Sequence, residues 1–368
     1  MQSEPVHRQS NQVPVTVISG FLGSGKTTLL NRLIQHPAMS DAALIVNEFG
    51  EIGIDHALVD SALENTVVMD SGCVCCTIRG DLIDTIDDLF AKADAGRLPR
   101  FSKILIEPTG LADPGPIVHA LDQMEAAGHP CRCNAVVTMV DGQQGLRQLD
   151  AHVEAARQIA AADVVLVTKT DLVPDTTVEE LRQQIAVLSP GVSVRPVLHG
   201  EIDPDVLFQL ASESESAIPD AASDMAQTDR EPDRSHDHHD HYGHDTNEVH
   251  AHGAIRSLAI STDQRINWPR LRDFLETVFS LRGEGFLRVK GIIWPDDGDR
   301  PVLLQGVGNA FSPPRPLARE PDEPGRSRVV FIYEGLDGSA IEKTFRAMVL
   351  DRSDRRSDGT GGGDPPGQ

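Results

Sequence analysis

Short runs of aliphatic residues divide the first half of the chain. They occupy residues 13–19, 43–47, 103–107, 135–141 and 163–169. Continuous apolar runs of this length are typical of strands that are buried on both faces of a parallel sheet. Apolar residues with helical spacing lie between the runs, at 82–90 and 149–159. This alternation predicts an α/β domain over residues 13–211, with a three-layer, doubly wound, mostly parallel sheet flanked by helices.

A different order of elements follows near the C-terminus and predicts a smaller α+β domain over residues 253–350. The segment 254–262 alternates like a strand, and Asn267 is placed to cap a helix over 268–282. Three further strand-like runs and a final helix complete the pattern. They cover residues 286–294, 301–307, 328–334 and 339–349.

Residues 212–252 separate the two predicted domains and differ from both in composition. They hold eleven acidic and two basic residues and almost no large apolar side chains. A segment of this kind cannot bury enough apolar surface to fold, so it is predicted to be a disordered linker, like the termini 1–12 and 351–368. Seven of the fourteen histidines lie within it and are candidate weak metal ligands. They are His236, His238, His239, His241, His244, His250 and His252.

The overall charge narrows the range of partners. Lys and Arg number 33 against 56 Asp and Glu, which gives a formal net charge of −23. Affinity for nucleic acid or for an anionic membrane is therefore disfavoured, whereas cationic partners are compatible with the charge. No apolar run is long enough to span a membrane, and the polar N-terminus lacks an apolar signal core. A cytoplasmic protein is expected.

A phosphate-binding motif follows the first predicted strand. Residues 20–27, Gly-Phe-Leu-Gly-Ser-Gly-Lys-Thr, match the pattern G-x-x-x-x-G-K-[ST] and open a predicted helix, as this motif requires. The glycines allow backbone N–H groups to turn toward phosphate oxygens. Lys26 is expected to reach the β- and γ-phosphates, and the Thr27 hydroxyl is expected to ligate Mg²⁺. The motif predicts a nucleotide site but does not identify the base.

The base is indicated by residues 168–171, Thr-Lys-Thr-Asp, at the end of a predicted strand. Ligands bind at strand ends in doubly wound folds. Asp171 can accept hydrogen bonds from both N1–H and N2–H of guanine, a pair that adenine does not offer, and Lys169 can lay its stem over the purine. Thr168 stands where Asn is usual in this motif, which removes one amide contact. Guanine is the predicted base, and an ordinary strand end with a surface lysine is the alternative.

Two more predicted strands end in acidic residues. Glu107 ends the run 103–107, where its carboxylate can hold Mg²⁺ or orient the attacking water. Gly110 follows and can offer a backbone N–H to the γ-phosphate. Glu48 follows the run 43–47 in a segment that we expect to order only with the triphosphate. The alternative for each acid is a solvated side chain at a strand end.

Three cysteines fall within four residues, Cys73-Val74-Cys75-Cys76, directly after Gly72. In a reducing compartment such a cluster is more often a metal or redox site than part of a disulfide framework. Soft thiolates favour Zn²⁺, Cu⁺ or, with oxygen or nitrogen co-ligands, Co²⁺. Two of the three thiols would bind one ion, and Glu48, Glu51 or a histidine would complete its ligands. Buried structural cysteines and a thiol–disulfide pair are the alternatives.

These motifs occur together and in one order. GFLGSGKTTLLNRL, NEFGEIGID, GCVCC, IEPTGLADPGPI and TKTD resemble the CobW-type P-loop GTPases, also called zinc-regulated GTPase metalloprotein activators. RVKGIIW, LLQGV and RVVFIYEG resemble the C-terminal domain of the same family. The resemblance implies a GTPase, slow without its client, that carries Zn²⁺ or Co²⁺ to a client metalloprotein.

The resemblance also implies which residues form each site. The phosphate site would consist of Gly23, Ser24, Gly25, Lys26, Thr27 and Thr28. The guanine site would contain Lys169 and Asp171, and the internal metal site Cys73, Cys75 and Cys76.

Two other functions are compatible with these residues. One is a P-loop small-molecule kinase in which the cysteines are structural, although no acceptor motif is present. The other is a passive metal buffer that uses the histidine-rich linker, which would otherwise be a solvated spacer. Two further cysteines, Cys131 and Cys133, are interpreted as loop residues without a role.

Overall fold

The structure is a computed structural model of the chain. It describes residues 12–46, 66–68, 78–213, 255–282, 285–308, 310–317 and 324–350. The predictions for Glu48, Glu51, the cysteines at 73–76 and the histidines at 236–252 lie outside the described residues.

A seven-stranded sheet organises the first two hundred residues. Every neighbouring pair is parallel, so the predicted mostly parallel sheet is confirmed. Its strands are β1 (Val13–Gly20), β2 (Ala42–Val46), β3 (Thr66–Val68), β4 (Lys103–Glu107), β5 (Cys131–Asp141), β6 (Val164–Thr168) and β7 (Ser193–Val197). Their spatial order is β3-β2-β4-β1-β5-β6-β7.

Seven α-helices within this described region cover the sheet. They are α1 (Lys26–Ile34), α2 (Ile78–Asp94), α3 (Gly115–Ala126), α4 (Gly145–Ala151), α5 (Val153–Ala160), α6 (Asp175–Leu188) and α7 (Pro204–Glu213). Strand β1 lies at the centre, and Val15 through Gly20 are all buried. Apolar clusters fill both faces of the sheet, because its central strands carry aliphatic residues at consecutive positions.

The helix expected over 149–159 is two helices instead of one. Helix α4 ends at Ala151 and α5 begins at Val153, because His152 between them has extended backbone angles (φ −136°, ψ 112°). The His152 ring stacks on Phe21 of the phosphate loop, with ring centroids 4.7 Å apart. This tertiary contact accompanies a break that the apolar spacing does not reveal.

Residues 255–350 form a second, antiparallel sheet with helices packed against it. Its strands are β8 (Ile255–Thr262), β9 (Phe286–Ile293), β10 (Val302–Val307), β11 (Ala310–Phe311), β12 (Arg315–Pro316) and β13 (Ser327–Glu334). The helices are α8 (Trp268–Arg282) and α9 (Gly338–Phe345). Asn267 caps α8 as predicted, since its Oδ1 accepts from the Arg270 N–H at 3.2 Å. Among the helices that the structure describes, none is long and apolar enough to cross a membrane.

A buried ion pair joins the two sheets. Arg288 on β9 is 4% exposed, and its guanidinium donates to the Asp163 carboxylate and to the Ala161 carbonyl. Nearby, Arg157 on α5 donates to Glu334 Oε2 on β13 from both Nε and Nη2 at 2.8 Å. Leu287, Ile292 and other apolar residues of the second sheet extend the core of the first. The helix layer that contains α5 is therefore shared by both domains.

Helix α3 makes a second contact with the C-terminal sheet. Asp122 is buried, and its Oδ1 accepts from Ser312 Oγ at 2.8 Å, while Glu125 pairs with Arg315. Burial raises the pKa of Asp122 to about 6, although the Ser312 hydrogen bond and the Arg315 charge oppose this shift. The ionised form is therefore less stable here than in water.

This shift predicts a pH dependence of stability. Because the folded protein holds its Asp122 proton more tightly than the unfolded chain, the stabilisation is complete below about pH 4 and is lost as pH rises through about 6. Replacing Asp122 by Asn removes this titration. The unfolding free energy of Asp122→Asn relative to the natural chain should therefore increase by about 2–3 kcal/mol between pH 4 and 7.

Urea unfolding across this pH range measures the difference. Ser312→Ala is the matched control, because it keeps the carboxyl group but removes the hydrogen bond that favours its ionised form. Its stability should fall with pH more steeply than that of the natural chain. Parallel curves for all three proteins would contradict the prediction.

Candidate functional site

The phosphate loop connects β1 to α1 and depends on glycines at its turns. Gly20, Gly23 and Gly25 have φ values of 142°, 77° and 96°, which L-residues with a Cβ rarely adopt. A Cβ on Gly20 would also lie 2.4 Å from the Met139 carbonyl oxygen of β5. The loop can therefore turn tightly against the sheet only with glycine at these positions.

The interior of the loop is polar and suited to an anion. Lys26 is 8% exposed, and its Nζ donates to the Gly20 carbonyl at 2.9 Å and to the Phe21 carbonyl at 3.3 Å. Ser24 Oγ is buried and has no hydrogen-bond partner among the described residues. Lys26 also begins α1, so the positive end of that helix faces the loop. The motif residues thus form a cradle with the charge and donors that phosphates need.

Thr27 and Glu107 meet beside this cradle, although 80 residues separate them in sequence. Thr27 Oγ1 donates to Glu107 Oε1 at 3.2 Å, and Glu107 is 8% exposed. A hydroxyl and a carboxylate next to a phosphate site are the hard oxygen donors that Mg²⁺ prefers. Thr27 and Glu107 therefore fit the predicted Mg²⁺ ion, and their side chains would hold it.

The segment predicted to bind guanine lies next to the phosphate loop. Thr168 Oγ1 donates to the Ser24 carbonyl at 2.9 Å, so the residue that replaces Asn links β6 to the loop. Lys169 has φ 54°, and its Nζ donates to the Gly23 carbonyl at 3.0 Å and to Asp141 Oδ2 at 2.7 Å. The phosphate loop and residues 168–171 are thereby held together.

Asp141 is a site residue that sequence reasoning missed. Its side chain is 2% exposed, and its Oδ1 accepts from the N–H groups of Gln143 and Gln144 at 2.8 and 3.1 Å, which leaves Oδ2 for Lys169. The available signal was its position at the end of the buried run 135–141. We infer that Asp141 fixes the direction of the Lys169 side chain.

Two further segments follow the carboxyl ends of β6 and β7. Asp171 is exposed in a short 3₁₀ turn directly after Lys169, where its carboxylate is accessible to a base. His199 is the second described non-glycine residue with positive φ, at 53°. Gly200 packs so closely on α1 that an added Cβ would lie 3.0 Å from the Thr28 carbonyl. Strand β7 and this segment were not predicted, because Pro196 and the exposed positions around it break the apolar pattern.

Residues 109–112, named the Gly110 segment here, pack against Leu22 of the phosphate loop. A Cβ on Gly110 would be 2.7 Å from Leu22 Cδ2 and 2.9 Å from the Leu22 backbone nitrogen. Gln148 on α4 also reaches the loop and donates to the Leu22 carbonyl at 3.2 Å. The structure thus brings together Lys26, Thr27, Glu107, Gly110 and Lys169, whereas Glu48, Glu51 and the cysteines at 73–76 are outside the described residues.

The interpretation of Cys131 and Cys133 as loop residues is wrong. Both lie in β5, where they pair with β1, and Cys131 is fully buried. Burial, with smaller effects from Asp87 and Glu125, raises the pKa of Cys131 to about 11. Burial likewise raises the pKa of the Cys133 thiol. At neutral pH both are protonated thiols that pack as small apolar groups.

The fold and this site define a P-loop nucleotide-binding protein with a second, antiparallel domain. The protein-family model described as CobW/HypB/UreG, nucleotide-binding domain, matches residues 14–196 of the sequence. The model of the cobalamin synthesis protein cobW C-terminal domain matches residues 255–349. The chain belongs to the CobW family, which confirms the resemblance seen in its motifs.

Curated relatives cover almost the whole chain. The zinc chaperone YjiA of Escherichia coli is 28% identical over 92% of this chain and 99% of its own length. The zinc chaperone CobW of Pseudomonas aeruginosa is 30% identical over 92% of both chains. The crystal structure of Zn(II)-bound YjiA GTPase is similar in fold, with a TM-score of 0.64 at 27% identity over 92% of this chain and 99% of that one.

The Asp141–Lys169 pair yields a test of the site. In Asp141→Asn the side chain keeps its size, but Lys169 loses the charged partner that orients it. Nucleotide affinity should fall by about 1.5–3 kcal/mol, the range for a hydrogen bond to a charged group. Titration with a fluorescent GDP derivative measures the change. Asp88→Asn breaks an exposed ion pair with Lys92 on α2 and should leave affinity unchanged; equal loss in both variants would contradict the role of Asp141.

Proposed function

We propose that this protein is a GTP-hydrolysing metallochaperone that binds Zn²⁺ at its Cys-x-Cys-Cys segment and transfers it to a client metalloprotein. The observation that carries the proposal is the joined site at one edge of the sheet, where phosphate, Mg²⁺ and base-recognition residues contact one another. A relative described as a GTPase supports the hydrolysis, and relatives described as zinc chaperones support the binding of zinc. Co²⁺ is the alternative cargo.

Hydrolysis requires charge stabilisation and a positioned water more than covalent chemistry by the protein. Lys26 would hold the β- and γ-phosphates and stabilise the negative charge of the transition state. Thr27 and Glu107 would hold Mg²⁺, which would supply positive charge beside the phosphates. Gly110 would offer its backbone N–H to the γ-phosphate, and Glu107 or Glu48 would orient the attacking water.

Asp171 and Lys169 would restrict the reaction to guanine nucleotides. In Asp171→Asn, GTP affinity should fall by about 1.5–3 kcal/mol because one acceptor becomes a donor. Xanthosine triphosphate, which carries a carbonyl at C2, should then bind better than GTP. Competition titrations with GTP, ATP and xanthosine triphosphate measure both effects. Asp175→Asn, an exposed change four residues along the chain, is the control; equal ATP and GTP binding by the natural protein would refute the guanine site.

The cargo would be held by thiolates at Cys73, Cys75 and Cys76, with Glu51 as a further ligand. The histidines at 236–252 would hold additional ions loosely and keep them near this site. Residues 48–55 lie between the nucleotide motif and the cysteines in sequence, and their response to the γ-phosphate would couple the two sites. Such coupling is reciprocal at equilibrium, so bound metal must also change nucleotide affinity.

Metal binding tests this half of the proposal. With Co²⁺ as a probe, the natural protein should show strong thiolate absorption that Cys75→Ser removes. Cys133→Ser is the matched control, because the partly buried Cys133 thiol in β5, whose pKa is raised, stays protonated. Zn²⁺ affinity against a competing chelator should differ about fivefold or more between the GTP-analogue and GDP states. Identical affinity in both states would leave a passive metal buffer as the better description.

A further inference from the structure

Gln158 on α5 is a buried polar residue that contacts the Gly110 segment. It is 1% exposed, although neutral amides are mostly found at protein surfaces. Its Nε2 donates to the Gly110 carbonyl at 3.1 Å and to the Ala112 carbonyl at 3.0 Å. Both N–H donors of this amide are therefore used on one loop.

The hydrogen bonds fix which end of the amide faces the loop. If the side chain were flipped, Oε1 would point at two carbonyl oxygens and neither contact would be a hydrogen bond. Oε1 is buried and has no partner among the described residues, so no second contact competes for the orientation. The backbone is also held, because Thr138 Oγ1 of β5 donates to the Gln158 carbonyl at 2.9 Å.

The Gly110 segment contacts the phosphate loop as well as Gln158. Gly110 lies so close to Leu22 that even a Cβ would overlap with the Leu22 backbone nitrogen at 2.9 Å. Ala112 is also buried, and its N–H closes a turn onto the Thr109 carbonyl at 3.0 Å. Gln158 thus supplies donors to two buried carbonyls on a segment that touches the phosphate loop directly.

This arrangement restricts the movement of the segment. A trans peptide group is planar, with its C=O and N–H on opposite sides, so binding a carbonyl also fixes the direction of the following N–H. Gln158 fixes two such groups, whose N–H groups belong to Leu111 and Asp113, and it thereby holds Gly110 and Ala112 in place. Without its donors, both carbonyls would be left buried and unpaired, which favours displacement of the segment toward water.

We propose that Gln158 is a positioning residue for GTP hydrolysis, holding the Gly110 segment against the phosphate loop so that it can contact a γ-phosphate. The inference rests on the proposed function in one respect, the contact of Gly110 with the γ-phosphate. Gln158 itself is 1% exposed and is therefore not accessible to a nucleotide. Its loss should therefore affect steps that require the triphosphate and leave GDP binding intact.

Gln158→Met tests this, because methionine has a similar length and no donors. The kcat should fall about tenfold, as expected for the loss of two neutral hydrogen bonds in the reacting state. The affinity of the variant for a non-hydrolysable GTP analogue should fall. Its affinity for GDP should stay within about twofold of that of the natural protein, a change too small for a lost hydrogen bond. Gln158→Asn keeps the amide but is one methylene shorter, so its kcat should be intermediate.

Ile185→Val is the matched control, because Ile185 on α6 is fully buried in the apolar cluster that contains Ile159, the neighbour of Gln158 on α5. It should lower thermal stability while leaving kcat and the GTP-to-GDP affinity ratio unchanged. If Gln158→Met does not fold, the Gln158→Asn ratio provides the test. If the folded variant keeps both its kcat and its ratio of GTP-analogue to GDP affinity, the proposal is overturned. It is also overturned if kcat and this ratio fall in proportion to thermal stability in all variants. If the natural protein itself shows no GTP turnover, the proposed function fails instead.

Discussion

The position of β1 at the centre of a parallel sheet is the constraint on which the site depends. Parallel strands place their carboxyl ends at one edge, and β1 has β4 on one side and β5 on the other. The phosphate loop after β1 therefore lies between Glu107 at the end of β4 and Asp141 at the end of β5. The Thr27–Glu107 and Lys169–Asp141 contacts both follow from this strand order.

Helix α5 connects that edge to the second domain. Gln158 contacts the Gly110 segment, whereas the preceding residue, Arg157, is paired with Glu334 of the antiparallel sheet. The turn after α5 supplies Ala161 and Asp163 to the buried Arg288. Removing one member of a buried ion pair leaves an uncompensated charge, so this contact is costly to break. Helix α5, which is about two turns long, therefore contacts both the Gly110 segment and the domain interface.

Helix α3 forms a second connection between the same two regions. It begins directly after the Gly110 segment, where Asp113 Oδ1 accepts from the Gly115 N–H at 2.8 Å, and its next turns present Asp122 and Glu125 to the C-terminal sheet. The carboxyl group of Asp122 is held without a full set of partners, since Oδ2 is unpaired among the described atoms. Burial at this interface therefore controls the charge state of Asp122.

The sequence by itself determined the class of fold and most of the phosphate site. Buried strands need consecutive aliphatic residues, and the phosphate loop needs glycines and Lys26 at fixed spacing, so both are local patterns. Only the tertiary structure revealed Asp141, Gln158 and the break at His152, because each depends on contacts with segments far away in sequence. Edge strand β7 was missed because its exposed positions remove the apolar pattern. A single buried glutamine in a helix carries no local signal; its role is decided by which carbonyls the fold places against it.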